Sequence, residues 1–519
     1  MIAPPIISPS DLSLPPKFSQ WRPGQYQRIM DMADAPQRFI ESAASTGSGK
    51  SVDAIALSQI MGERTVIVTS TKALQKQYTD DFGDCGLTDI RGRVNYECAS
   101  YSNCAEGRLL GCSANKDGDC PYANDLETFL SSDLGTTNYS YLLSSRIHSD
   151  GIGPIGLLVL DECHNAVQEL CAALEIHLDH KKYAPFYQGT IPHPPLGRAL
   201  PWWQEWAKSG LPSIAAAVTR FKSGDKKLLS TADSLHRDLK RIASLPNDWI
   251  LDESFSKETV FAPLWPTDRA QDLLFEKAGK ILMMSATFVQ KTADLLNVPQ
   301  DDSLLVSAAY PFEKWRSPIY LFGADKIDHK TTEAQYMQLL GRMDTIISKR
   351  LDRKGIIHSV SYDRQQWIMR NSEYAGIMMA PKGHELAAAI EEFRWCPSPR
   401  ILVSPAITTG YDFPGANAEY QFIIKVPFVD QRGPIMKARC EDDDEYGMYL
   451  TAQNLVQMCG RLMRGPSDSS ETFILDKHIG WLIAKPQAGR KSYRHLFPKW
   501  FLDLIVWPNG QPTPPMKLQ

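Results

Sequence analysis

The chain has 519 residues, 43% of them hydrophobic and 22% charged, with a formal net charge of −4. That length holds about three or four folding units of ~100–200 residues, and the composition is that of an ordinary globular protein. The charge excludes a polycationic, histone-like binder, but it leaves room for a local basic groove, since nucleic-acid affinity depends on where Lys and Arg sit. The amino-terminal stretch MIAPPIISPSDLSLPP lacks the basic start and unbroken apolar core of a signal peptide. No apolar run approaches the ~18 residues that span a bilayer. The chain therefore reads as cytoplasmic or nucleoid-associated, with no membrane partner and with reduced thiols.

In chain order, Trp21–Met32 has the spacing of a short helix, and Arg38–Ala43 reads as a strand entering a glycine-rich turn. Ser51–Met61 is helical in pattern, and the β-branched run Thr65–Thr69 reads as a buried strand. Strand, turn, helix and strand in that order imply a parallel sheet covered by helices. From about Arg91 to Tyr122 the chain turns Cys-, Gly- and Asn-rich, as a small inserted unit would. Regular patterning returns over Asn124–Leu134, and Leu157–Leu160 is a further apolar strand. A second insertion, Asn165–Ala262, has helical spacing around Pro212–Phe221 and Lys226–Ile242. Ile281–Met284 brings back a strand. From Thr331 a second α/β unit offers strands at Gly355–His358, Ile401–Ser404, Gln421–Val426 and Thr472–Leu475. The acidic run Glu441–Glu445 reads as a solvated loop.

The run Ala44-Ser45-Thr46-Gly47-Ser48-Gly49-Lys50-Ser51 lies between a predicted strand and a predicted helix, the setting a phosphate-binding loop requires. Its glycines let backbone N–H groups point at phosphate oxygens, and the helix start favours negative charge. Lys50 would reach the β- and γ-phosphates of ATP, and the Ser51 hydroxyl would join a magnesium shell. Ala44 stands where the general pattern has Gly. A chance turn is the bland alternative, and the flanking elements speak against it. Further on, Leu157–Leu160 runs into Asp161-Glu162-Cys163-His164. The first carboxylate can hold magnesium and the second can polarise the attacking water, although a solvated acidic pair after a strand has the same look. Gln457, Arg461 and Arg464 recur at helical spacing, so they are expected on one face. A guanidinium there can stabilise charge on the γ-phosphate, while in isolation the stretch would read as a salt-bridging surface.

These motifs, with Ser285-Ala286-Thr287 after a strand, resemble those of the superfamily 2 helicases and, more narrowly, the XPD/DinG family of iron–sulfur DNA helicases. The resemblance extends through Arg22-Pro23-Gly24-Gln25, similar to the family's adenine-side Gln motif, to Ser404–Gly415 and to Gln457–Arg464. It implies two RecA-like α/β motor domains, with an iron–sulfur cluster domain and a mostly helical arch domain inserted in the first. Residues 1–90, 123–164 and 263–328 would form the first motor, 91–122 the cluster domain, 165–262 the arch and 329–519 the second motor. It further implies that Gly410 and Asp412 couple the second lobe to nucleotide and DNA, and that Thr69, Ser70 and Thr71 contact the DNA backbone. Thr137-Asn138-Tyr139 stands where relatives typically have T-N-H. Tyr139 then either stacks on a base along the DNA path or packs.

Of ten cysteines, Cys98, Cys104, Cys112 and Cys120 fall in one short stretch, spaced C-x5-C-x7-C-x7-C. That spacing fits neither the paired C-x2-C of most zinc modules nor a ferredoxin run, and by itself leaves zinc and iron–sulfur open. The stretches Gly92–Cys98 and Cys120-Pro121-Tyr122 resemble the ends of the family's cluster domain, which implies a [4Fe–4S] centre. The resemblance as a whole implies an ATP- and magnesium-dependent helicase moving 5′→3′ on single-stranded DNA, with forked duplex as substrate and a monomeric state. Two rival readings are a translocase that strips proteins or remodels RNA–DNA hybrids, and a scaffold in which ATP only stabilises a conformation. Glu162, Arg461 and Arg464 speak against the scaffold, which needs no water activation.

Overall fold

The computed structural model describes residues 6–112, 120–149, 151–187, 189–221, 225–254, 257–323, 325–407, 411–413, 415–487, 489 and 491–506. The first five strands are β1 (Phe39–Ala43), β2 (Thr65–Thr69), β3 (Thr88–Asp89), β4 (Leu134–Asn138) and β5 (Ile155–Asp161). Three strands of the long insertion follow, β6 (Ile176–Asp179), β7 (Ile250–Asp252) and β8 (Glu258–Ala262), and then β9 (Ala278–Ser285) and β10 (Ser303–Ser307). Among the described residues the first sheet has the order β10-β1-β9-β5-β2-β4-β3. Every pairing in it is parallel. β2 is buried along its whole length and β5 nearly so. Their unbroken apolar runs follow from helices covering both faces of a parallel sheet.

Register places the chemistry. Ala43 at the end of β1 lies beside Ser285 at the end of β9, and Asp161 at the end of β5 lies beside Met284. Neighbouring strands are ~4.8 Å apart, so the phosphate loop, Ser285 and the acidic pair emerge side by side at one sheet edge.

The second sheet contains β11 (Ile319–Leu321), β12 (Lys354–His358), β13 (Met378–Met379), β14 (Arg400–Ser404), β15 (Tyr420–Ile423), β16 (Glu471–Ile474) and β17 (Ile505–Val506). Its order is β13-β14-β12-β15-β16-β11-β17, again parallel throughout. Two parallel-sheet α/β lobes are therefore present, as expected. They share an apolar core in which Tyr449, Leu455 and Val456 of the second lobe join Phe288, Val289 and Leu295 of the first.

The details depart from expectation in places. The first helix spans Gln25–Asp34, because Pro23 and Gly24 (φ 72°) bend the chain before it. Asn124–Leu134 divides into a helix ending at Ser131 and the start of β4. The insertion carries long helices Leu200–Phe221, which runs through Pro212, and Lys226–Ala243. Trp203, Trp206, Leu235 and Leu239 pack in its core. It also has an antiparallel sheet, β6-β8-β7, whose strands are too short for periodicity to reveal. The acidic run is not simply solvated. Asp442 accepts from Trp265 Nε1 at 2.7 Å, Asp443 pairs with Lys291 at 2.6 Å, Asp444 pairs with Lys491, and Glu445 faces His495 at 3.2 Å. Trp265 and Lys291 precede β11 in the chain, so the run clasps the two lobes. Among the described residues no helix is long and apolar enough to cross a membrane.

Candidate active site

The phosphate loop leaves β1 and feeds the helix Lys50–Met61. Gly47 (φ 71°) must be glycine for a second reason, since a Cβ there would come within 2.9 Å of the Phe312 ring and 3.0 Å of the Arg464 carbonyl oxygen. The second lobe and its linker therefore press directly on the loop. The Lys50 ammonium donates to the carbonyls of Ala44 (3.2 Å) and Ser45 (3.3 Å). Burial lowers its pKa, against the pull of Glu162 and Asp161.

Gln25 is almost fully buried. Its Nε2 donates to Asp53 Oδ1 (2.8 Å) and the Gly49 carbonyl (3.2 Å), and its Oε1 accepts from the Arg22 amide (2.9 Å). Its contacts here brace the loop from behind. Asp53 lies one turn into the helix and forms a buried ion pair with Arg28 at 2.6 Å. Arg28→Ala would strand that carboxylate, so we expect a loss of about 3–5 kcal/mol, read as a lower urea midpoint. An unchanged midpoint would show that Asp53 reaches solvent.

Asp161 Oδ1 accepts from the Glu162 amide at 2.9 Å, and Oδ2 accepts from the Tyr78 hydroxyl at 2.9 Å. The Ser51 hydroxyl acts on the same buried phenol, so Tyr78 lies near both oxygen donors suited to magnesium. Burial pushes the Asp161 carboxyl up, and the adjacent Glu162 carboxylate adds to the rise. Desolvation acts in the same sense on Glu162, but the His164 contact outweighs it, together with Lys50 and Arg464, and holds the pKa low. Glu162 has φ 50°, a left-handed backbone rare outside glycine. Its Oε2 lies 3.2 Å from His164 Nδ1 and 3.4 Å from Ser285 Oγ. His164 Nδ1 meets Ser285 Oγ at 2.8 Å, and its Nε2 contacts Gln457 Nε2 across the lobe boundary.

Gln457 lies on the helix Tyr446–Cys459, which ends before both arginines. The expectation of one helical face is thus corrected. Gly460 caps the helix where a Cβ would be 2.9 Å from Thr46 Cγ2, and Arg461 and Arg464 follow in a turn against the phosphate loop. Arg461 is buried, donates to the Tyr411 carbonyl at 2.7 Å, and burial brings its pKa down to about 10. Arg464 pairs with Asp412 and contributes charge at both Lys50 and Glu162. Gly410 lies outside the described residues.

Two of the residues expected along the DNA path are buried, and for Tyr139 burial is the packing alternative. Tyr139 is fully buried and donates to the Asp161 carbonyl at 3.3 Å, so its ring offers no face to a base. Thr69 is buried and donates to Thr71 and Thr137 carbonyls. Ser70 is half-buried and Thr71 exposed; Thr71 caps the helix Lys72–Phe82 by accepting from the Leu74 amide at 3.1 Å.

The four clustered cysteines form two pairs, Cys98 with Cys112 (Sγ···Sγ 3.7 Å) and Cys104 with Cys120 (3.9 Å). Those separations exceed the ~2.05 Å of a disulfide. Among the described residues no group of three or more His, Cys, Asp or Glu side chains is gathered to hold a metal. Gly107 leaves room at the first pair, since a Cβ there would lie 2.8 Å from Cys98 Sγ and 3.2 Å from Cys112 Cβ. Four thiols in one small unit suit iron or zinc as a donor set.

Sequence reasoning missed Tyr78, Asp53 and Arg28 as supports of the site. His164 lies within the Asp161–His164 motif, where the sequence assigns it no role. Asp53 carried a local signal, an acidic residue in the first turn of the loop helix; Tyr78 carried none.

Residues 354–503 match the helicase C-terminal domain family. No curated protein sequence matches the chain. Among solved structures the fold is similar to S. tokodaii Xpd4 (15% identity, TM-score 0.59, covering 94% of this chain and 100% of that one). It is also similar to an XPD helicase (12% identity, TM-score 0.57, covering 88% and 95%) and to an apo XPD structure (13%, TM-score 0.55, covering 88% and 96%). Residues 354–503 thus match a helicase C-terminal domain, and the chain as a whole has the fold of these XPD structures.

Proposed function

We propose that this chain is an ATP-dependent DNA helicase that moves 5′→3′ on single-stranded DNA and separates strands at a forked duplex. The observation that carries the reading is that the Arg464 backbone of the second lobe lies against Gly47 of the Ala44–Ser51 loop, with Lys50 and Arg464 both acting electrostatically on Glu162. ATP would seat its phosphates on the Ala44–Ser51 loop, with Lys50 on the β- and γ-phosphates and Gln25 bracing the loop. Gly410 and Asp412 would face the nucleotide from the second lobe. Glu162, ionised and oriented by His164 and Ser285, would take the proton of the attacking water. Arg464, with Arg461 behind it, would meet the charge that develops on the γ-phosphate. Ser51 and Asp161 would hold magnesium, which when bound would offset the negative charge of the phosphates. Ser70 and Thr71 would contact the DNA backbone.

Cys98, Cys104, Cys112 and Cys120 would hold a [4Fe–4S] cluster, which staples a stretch of about thirty residues too small to bury its own core. The domain division given by the resemblance is adopted with it, as is a monomeric state. Cys112→Ser is expected to loosen that unit, so that ATP binding and some hydrolysis persist while duplex unwinding fails. Anaerobically purified wild type should be brown and contain iron. Stoichiometric zinc without iron would make the unit a zinc-stapled wedge, and unwinding by Cys112→Ser at the wild-type rate would make it dispensable. The function itself is tested by strand displacement on forks with a 5′ or a 3′ single-stranded tail. Displacement of the 5′-tailed fork alone is expected; displacement confined to 3′ tails would reverse the polarity, and hydrolysis without displacement would leave a stripping translocase.

A further inference from the structure

Ser285, Ala286 and Thr287 leave β9 between the phosphate loop and the acidic pair. Ser285 faces inward, to His164 and Glu162. The next two residues are held from outside the lobe. The Ala286 carbonyl accepts from Trp500 Nε1 at 2.7 Å, and the Thr287 carbonyl accepts from Gln453 Nε2 at 2.9 Å; both bonds are buried. Trp500 lies on the helix Lys499–Asp503 and Gln453 on the helix Tyr446–Cys459, both in the second lobe. Gln457 follows Gln453 by one helical turn and reaches His164. The Trp500 ring is stacked on Tyr310, with centroids 6.0 Å apart and planes 12° apart. Tyr310 precedes by two residues the Phe312 ring that sits against Gly47.

We infer that Trp500 and Gln453 are positioning residues, through which the second lobe holds the 285–287 loop and thereby sets the Glu162 carboxylate for hydrolysis. The physical argument is that a buried carbonyl deprived of its donor must move to find another. The loop that moves is the one carrying Ser285, so the displacement reaches the carboxylate through a single hydrogen bond. This rests on the reading of Glu162 as the water-activating group.

Trp500→Phe keeps an aromatic ring against Tyr310 and deletes the donor; Gln453→Met keeps the chain length and deletes the amide. The experiment measures kcat and KM for ATP with saturating single-stranded DNA, and the melting temperature of each variant. Each substitution is expected to lower kcat about tenfold, the scale of one buried hydrogen bond expressed in a rate. KM for ATP should stay at the wild-type value, and the melting temperature should fall by no more than a few degrees, the scale of one unpaired buried carbonyl. Wild-type kcat in both variants would overturn the inference, as would a rise in KM for ATP that matches the loss of kcat, since that marks general disruption of the site. Wild-type protein with no hydrolysis at all would overturn the functional reading and this inference with it.

Discussion

Glu162→Gln is expected to bind ATP as wild type does and to lose DNA-stimulated turnover by about 10²–10⁴-fold, the usual contribution of a positioned base. The amide is nearly isosteric, so it can keep a contact to Ser285 Oγ at the observed 3.4 Å. What it loses is the charge that Lys50, Arg464 and His164 are arranged to sustain. Nucleotide titration by fluorescence and steady-state hydrolysis separate the two effects. Lys50→Ala differs in kind, because it removes the phosphate contact and should weaken binding itself. Near wild-type turnover by Glu162→Gln would move the base to another residue.

Arg464→Lys should lower turnover by about 10³-fold with nucleotide binding largely intact, as removal of an arginine finger does. Lysine keeps a charge but loses the planar fork that can hold Asp412 and a phosphate oxygen together. Arg461→Lys acts by a second route. Arg461 is buried against the Tyr411 carbonyl, so lysine there leaves that acceptor poorly matched and disturbs the turn that aims Arg464. Single-turnover hydrolysis of both variants, at ATP concentrations above KM, reads the chemical step alone. Equal turnover in wild type and both variants would return the two arginines to a structural role.

Much of the candidate site was legible because its parts are local. The phosphate loop needs a contiguous run of small residues between strand and helix, and the acidic pair needs only the end of an apolar strand. The register that brings Ala43, Ser285 and Asp161 level is long-range, and no spacing in the chain announces it. Tyr78 was invisible for the same reason: its phenol serves Asp161 from 83 residues away. The helical spacing of Gln457, Arg461 and Arg464 was real, yet the helix stops at Cys459 and is capped by Gly460, where a side chain would press on Thr46 of the other lobe. The burial of Tyr139 and Thr69 is likewise set by tertiary packing, which their motifs do not carry. The acidic run 441–445 looked solvated because its partners, Trp265 and Lys291 on one side and Lys491 and His495 on the other, are remote in sequence.

The most direct test of the account is steady-state ATP hydrolysis by the full chain, with magnesium, in the absence and presence of single-stranded DNA. Turnover that rises severalfold on adding DNA, and falls to background in Glu162→Gln, is the predicted result. Hydrolysis absent under both conditions, or present at a rate that DNA and Glu162→Gln leave unchanged, would contradict it.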